Sequence, residues 1–399
     1  MGYDSLLLEL EDRLGQSLLV QQRVAMVDAV MWPDVQPYRL CLFYKTGAAK
    51  TLTSLICLYA RASRNPLVVA PPSTHTGWEE SAKLLNIEVE LVSHAKFRQK
   101  DFKVARDRHI IVDEFHLLGG QSASGWTKLN RVAQGSTGDI IICSATPNYN
   151  DAERCYCVEK IISPQSVQGG YLNFIYQHCN TQPNPFGMVP LVSGFRNHAD
   201  AAEYLTQLDR VLTVPDDAQY TIVDIGLPAW SDLLLTNFGM NRRDRRIVAS
   251  AMERRHTEKR FNFLNADGTL RDTVYHELVD IGSWREQPIL MYCDSAQIAR
   301  AVFDRLRLNK VNAVLVTGEL TKAEKEQAIS LFRTGAAEVM VGTASMATGT
   351  DGIDKVCDTL IIVDDTQDDS LRRQLIGRIL PRGTDTDASM KGIYRLVFN

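Results

Sequence analysis

Seven short runs of β-branched and apolar residues punctuate the chain, at 66–70, 109–113, 139–143, 288–293, 312–316, 338–342 and 359–364. Each is too short for an ordinary helix and is apolar at consecutive positions. A strand with water on one face alternates apolar and polar residues; a strand covered by helices on both faces does not. Between many of the runs lie stretches with apolar residues at three- and four-residue spacing, such as 294–308 and 321–333, which read as amphipathic helices. Strand alternating with helix predicts an α/β fold with parallel sheets.

The runs form two groups, one ending near residue 160 and one beginning near residue 285. A chain of 399 residues exceeds one ordinary core and suits two. The expected organisation is an N-terminal domain over 1–160, a linker or insert over 161–284 and a C-terminal domain over 285–399. Residues 163–200 are rich in Pro, Gly, Asn and Gln, and 200–280 look mainly helical, so the middle reads as a connection and not as a third full domain.

A net charge of -4 excludes a broadly basic nucleic-acid binder, so any such contact must come from a local patch. No apolar run reaches the ~18 residues of a membrane span. The start lacks the basic residues and apolar core of a secretion signal, and Leu6 stands where a myristoylation pattern needs Ser or Thr. A cytoplasmic protein is expected. Several of the eight cysteines lie in strand-like runs, as reduced buried thiols do. Cys155, Cys157, His178 and Cys179 do not have the spacing of a standard zinc site.

Cys41-Leu42-Phe43-Tyr44 reads as a strand end, followed by Lys45-Thr46-Gly47-Ala48-Ala49-Lys50-Thr51 and a helical stretch to Ala60. Strand, tight loop and helix opening on Lys-Thr is the layout of a phosphate-binding loop. Small residues let backbone N–H groups close on phosphates, the lysine supplies charge and the hydroxyl helps hold Mg²⁺. Against this stands a chance Lys-Thr at a helix start. Ala49 also departs from the usual Gly before the lysine, and Ala resists positive φ.

His109-Ile110-Ile111-Val112-Asp113-Glu114-Phe115-His116 is an apolar strand ending in two carboxylates. At the C-terminal edge of a parallel sheet such a pair faces the ligand crevice. Asp113 is placed to hold Mg²⁺, and Glu114 to orient or deprotonate a water. Ile142-Cys143-Ser144-Ala145-Thr146-Pro147 ends another strand, with Ser144 and Thr146 as a hydroxyl pair.

These segments resemble superfamily 2 helicases and translocases. Thr46-Gly47-Ala48-Ala49-Lys50-Thr51 is similar to motif I, Asp113-Glu114-Phe115-His116 to motif II of the DExH type and Ser144-Ala145-Thr146 to motif III. Gln22 resembles the glutamine that reads adenine, although a surface glutamine fits as well. Val69-Ala70-Pro71-Pro72-Ser73 with Trp78-Glu79-Glu80 is similar to motif Ia of Snf-type remodellers and related phage helicases, which implies backbone contacts by Pro72 and Ser73.

The second half continues the series. The run 287–293 resembles motif IV, and Thr343 through Gly349, Asp351 and Asp354 resembles motif V. Gln374-Leu375-Ile376-Gly377-Arg378-Ile379-Leu380-Pro381-Arg382 resembles motif VI, with the last arginine one place late. Residues 242–260 hold eight Arg or Lys against three Asp or Glu. Arg242, Arg243 and Arg246 there suit a phosphate-tracking surface or a solvated, ion-paired helix face.

The resemblance implies two RecA-like domains with a mainly helical insert, and an ATP hydrolase whose nucleotide lies between the domains. It makes Lys50, Asp113, Glu114, Arg378 and Arg382 catalytic. Gln22, Thr46, Gly47, Ala48, Ala49, Lys50, Thr51, Gly349 and Asp351 would bind ATP, and Thr51 and Asp113 Mg²⁺. Pro72, Ser73, Thr343, Arg242, Arg243 and Arg246 would bind nucleic acid, while Ser144, Thr146 and Gln374 couple the sites. The expected function is a DNA helicase or double-stranded DNA translocase of Snf-like, phage-like or viral kind, in the host cytoplasm if viral. The alternatives are a DExH RNA helicase, and a clamp or scaffold that binds without turnover.

Overall fold

A computed structural model describes residues 3–45, 47–63, 65–119, 123–145, 152–184, 188–214, 220–229, 257–282, 287–346, 352–366, 369–380 and 391–398. The chain divides into two compact units, Met1–Asp216 and Asp217–Asn399.

The first unit holds β1 (Arg39–Tyr44), β2 (Leu67–Val69), β3 (Glu90–Val92), β4 (Ile110–Val112) and β5 (Ile140–Ser144), then the hairpin β6 (Cys179–Gln182) and β7 (Leu191–Phe195), and β8 (Val211–Val214). Its main sheet runs β3-β2-β4-β5-β1-β8 and is parallel throughout. The second unit holds β9 (Ile222–Leu227), β10 (Ile289–Cys293), β11 (Ala313–Val316), β12 (Val339–Gly342), β13 (Thr359–Asp364) and β14 (Gly392–Phe398). Its sheet is also parallel, in the order β11-β12-β10-β13-β14-β9. All seven expected runs are strands.

Each sheet has a core on both faces, and the strands feed them alternately. Ile110, Val112, Ile140 and Ile142 enter one core of the first unit. Their neighbours Ile111, Ile141 and Cys143 enter the other, with Leu40, Leu42 and Tyr44. In the second unit Met291, Val341 and Ile361 pack on one side, and Leu290, Tyr292, Met340 and Ile362 on the other. This two-sided burial is why the runs carry no polar positions.

Among the described residues, the middle of the chain contributes to both units. Helices Gly170–His178 and Ala201–Thr206 flank the β6–β7 hairpin, β8 joins the first sheet and β9 the second. Charged side chains explain both attachments. Arg210, just before β8, donates from Nε to the carbonyl of Arg39 and from Nη1 to Asp28 at 2.8 Å, and its guanidinium lies 4.1 Å from the Trp32 ring centroid. Arg395 on β14 holds Asp224 on β9 through two bonds, at 2.7 and 2.8 Å. A pairing strand one or two residues beyond a polar stretch leaves little periodic signal, so β8 and β9 escaped the sequence reading.

Candidate active site

Parallel register brings the candidate residues of the first unit to one sheet edge. Val69 pairs with Val112, Val112 with Ile142, and Phe43 with Ser144. The segments that follow β1, β2, β4 and β5 therefore leave the sheet together.

After β1 the chain turns through Gly47, at φ +80°, and Ala49, at φ 59° and ψ 35°, into the helix Lys50–Ala60. Ala49 thus adopts the left-handed conformation that the usual glycine takes freely. For an L-residue this costs ~1–2 kcal/mol, so the loop pays for its shape with strain. Ala49→Gly is expected to stabilise the first unit by about 0.5–1 kcal/mol after the extra entropy of the unfolded Gly chain is offset. Denaturant unfolding of both proteins checks this; a loss of stability would mean that the loop prefers another shape.

Lys50 turns its ammonium back over the loop, donating from Nζ to the carbonyls of Tyr44 at 3.2 Å and Lys45 at 3.3 Å. The helix start is braced by Thr53, which donates from Oγ1 to the Ala49 carbonyl, and by Ser54, which donates to the Lys50 carbonyl. The first N–H groups of a helix have no partner within it, and the positive end of the helix dipole favours an anion there. Thr51, the second helical residue, is half-buried.

Asp113 follows β4 and is buried. Its Oδ1 accepts from the Glu114 N–H at 3.0 Å and its Oδ2 from the Trp78 indole N–H at 3.1 Å. Burial and the neighbouring Glu114 charge push its carboxyl above the ordinary range, while Lys50 and the Trp78 hydrogen bond pull it down. His94 fixes the backbone here, donating from Nε2 to the Asp113 carbonyl at 2.9 Å. Burial lowers the His94 imidazole to about 4, so it is a neutral donor at physiological pH.

Glu114 sits at φ 47° and ψ 51°, a second non-glycine residue in the left-handed region. Strained backbone of this kind concentrates at functional sites. Its carboxylate lies 3.5 Å from the Ser144 hydroxyl and 3.4 Å from His116 Nδ1. His116 Nδ1 and Ser144 Oγ are 3.0 Å apart. Ser144, at the end of β5, therefore joins Glu114 and His116, both just beyond β4, in a three-member polar cluster.

Gln22 is buried, not on the surface, and its Oε1 accepts from the Leu19 N–H at 2.9 Å, capping the helix Val20–Met31. Pro72 and Ser73 are exposed in the turn after β2, ahead of the helix His75–Leu84. Trp78, His94 and His116 were not among the expected site residues. The visible signals were a tryptophan one turn into the helix after the Pro-Pro turn, and the histidine two places after Glu114.

In the second unit, Thr343 follows β12, is buried and lies with its Oγ1 3.1 Å from Ser345 Oγ. Gly342 must be glycine, because a Cβ there would meet the Val316 carbonyl oxygen at 2.6 Å. Gln374 is buried on the helix Asp369–Ile376, and Arg378 is half-buried just beyond it. Thr46, Thr146, Arg242, Arg243, Arg246, Gly349, Asp351 and Arg382 lie outside the described residues.

Residues 271–382 match the model of the helicase conserved C-terminal domain. That match lies within the second unit. Solved helicase structures extend the likeness to the whole chain. S. cerevisiae Dbp5 bound to RNA and ADP BeF3 matches with a TM-score of 0.59 and 14% identity, over 100% of this chain and 90% of that one. The Mycobacterium smegmatis helicase Lhr bound to ssDNA and AMP-PNP matches with a TM-score of 0.52 and 15% identity, over 94% of this chain and 45% of that one. At such identities the likeness establishes the fold, which is two RecA-like α/β domains. The Sulfolobus solfataricus SWI2/SNF2 ATPase core in complex with dsDNA matches at a TM-score of 0.42 and 13% identity, over 96% of this chain and 88% of that one, too weak a likeness to carry any argument. The described residues hold no group of three or more His, Cys, Asp or Glu placed around a metal. They also hold no helix long and apolar enough to cross a membrane.

Proposed function

We propose that the protein is a superfamily 2 ATPase that moves on or unwinds nucleic acid, with DNA as its track. The observation that carries this is the convergence at one sheet edge of a phosphate loop with Lys50 at a helix N-terminus, the buried Asp113 and the strained Glu114. Lys50 would meet the β- and γ-phosphates once the nucleotide replaces the carbonyls it now bonds. Glu114, held beside Ser144 and His116, would orient the attacking water and accept its proton. Arg378 would stabilise charge in the transition state and Thr343 would contact the nucleic-acid backbone.

The donors suit Mg²⁺, a hard cation that takes one or two carboxylates and completes its shell with water and phosphate oxygens. Thr51 and Asp113 would hold it. A cation beside Asp113 also offsets the burial that now raises its proton affinity. When bound, Mg²⁺ would neutralise charge on the phosphates.

Ala49 and the late Arg382 are the two features that favour a clamp without turnover. Ala49 favours it less for taking the left-handed conformation that glycine takes in such a loop.

The test is ATP hydrolysis by the purified chain with no polymer, duplex DNA, single-stranded DNA and RNA. Hydrolysis raised most by DNA is the expected result. Greater stimulation by RNA would move the protein to the RNA helicases, and bound but unhydrolysed ATP under all four conditions would sink the motor.

A further inference from the structure

We infer that Trp78 is a positioning residue that couples the exposed turn after β2, which would face the nucleic acid, to Asp113, the carboxylate that would hold Mg²⁺. The inference rests on the function proposed above. Three observations carry it.

First, Asp113 is tied twice to the same segment. Its backbone N–H donates to the Val69 carbonyl at 2.9 Å, and its Oδ2 accepts from Trp78 Nε1 at 3.1 Å. Val69 ends β2, and Trp78 lies on the helix that follows, so the two anchors bracket the turn that carries Pro72 and Ser73.

Second, that turn is stiff. Pro71 and Pro72 have their φ angles locked by their rings. Thr74 donates from both its backbone N and its Oγ1 to the Pro71 carbonyl, each at 2.9 Å. His75 Nε2 lies 3.2 Å from the Ala70 carbonyl oxygen. A displacement of the exposed Pro72–Thr74 turn is therefore passed along the helix instead of being absorbed locally.

Third, the indole is 1% exposed and ends on a buried carboxylate. A hydrogen bond to a charged group in such surroundings is short-ranged, directional and stronger than its solvated equivalent. Trp78 is also only three residues into the helix His75–Leu84, less than one turn from the exposed residues. A contact at the turn and a contact at Asp113 thus move as one body.

The test is Trp78→Phe, which keeps most of the ring and deletes the N–H. A second variant replaces Trp78 with β-(3-benzothienyl)alanine, which keeps the bicyclic shape and substitutes sulfur for the N–H. Each is compared with wild type in ATP hydrolysis, with and without the polymer that stimulates wild type most. ADP affinity is measured with and without that polymer as a readout independent of turnover. Loss of the link should lower the ratio of stimulated to basal rate by at least about five-fold, the low end of ordinary allosteric coupling, and the effect of polymer on ADP affinity should shrink with it. If stimulated and basal rates fall in proportion, with the ratio kept in the benzothienyl variant, Trp78 only packs and the inference is overturned. If wild type itself responds to no polymer, the proposed function fails, and the inference with it.

Discussion

Glu114→Gln is expected to lower ATP hydrolysis by about a thousand-fold, while ATP affinity stays within a few-fold of wild type. A positioned general base contributes ~10²–10⁴-fold, and a thousand-fold loss corresponds to ~4 kcal/mol of transition-state stabilisation. The change is nearly isosteric. The amide oxygen can still accept from Ser144, which lies 3.5 Å from the present carboxylate. Folding should therefore be preserved, and the left-handed backbone at Glu114 is occupied by either residue. What the amide cannot do is take a proton from water. Single-turnover hydrolysis and binding of a fluorescent nucleotide separate the two effects. Turnover within ten-fold of wild type would remove Glu114 from the proposed mechanism and leave the polar cluster with His116 a purely structural role.

The largest stability effect is expected at the opposite edge of the same sheet. Asp139 is buried just before β5. Its Oδ1 accepts from the Tyr38 N–H at 2.6 Å and its Oδ2 from Arg61 Nε at 2.9 Å. Arg61, also buried, donates further to the Ala29 and Trp32 carbonyls, and its guanidinium lies 5.3 Å from the Tyr38 ring centroid. Asp139→Ala removes one charge and leaves the buried Arg61 guanidinium with only the fully exposed Asp34, 3.8 Å away, as a counterion. Breaking a buried pair in this way costs about 3–5 kcal/mol. That is a large share of the stability of an ordinary domain. Urea unfolding of the variant measures it, and a loss below about 1 kcal/mol would show that Arg61 finds sufficient partners in the two carbonyls and Asp34.

The same pair sets a pH dependence. Burial alone would raise the Asp139 carboxyl, but hydrogen bonds from His109, Arg61 and the Tyr38 N–H outweigh it and hold the group below its ordinary range. A depressed carboxyl contributes stability above its unfolded value, about 3.9, and loses that contribution as pH falls through the folded value. The stability gap between wild type and Asp139→Ala should therefore be widest above pH ~5 and narrow on acidification below ~4.

Much of this protein was legible in its residues. The strands of both cores announced themselves because burial on two faces forbids polar positions, as in 110–112 and 140–143. Lys50, Asp113, Glu114 and Ser144 could be placed at strand ends, because the apolar runs stop where each begins. The helicase C-terminal match over 271–382 falls where the series of later motifs lies. Ala49 was visible as a departure, and the physics of a left-handed residue predicted its strain.

The tertiary structure decided the rest. Register across β1, β2, β4 and β5 put residues far apart in the chain at one edge, which no local pattern encodes. Arg210 and Arg395 assigned β8 and β9 to their sheets through long-range ion pairs and carbonyl contacts. Gln22 was equally compatible with a surface role until packing buried it as a helix cap. Trp78 had its neighbours written in the sequence but not its hydrogen bond. An indole N–H finds a carboxylate 35 residues away only when a parallel sheet lays the two connections side by side. Local sequence specifies which residues form strands and which chemistry each strand end can offer; which of those groups meet is set by long-range packing, because contact depends on register and burial that no short stretch of chain contains.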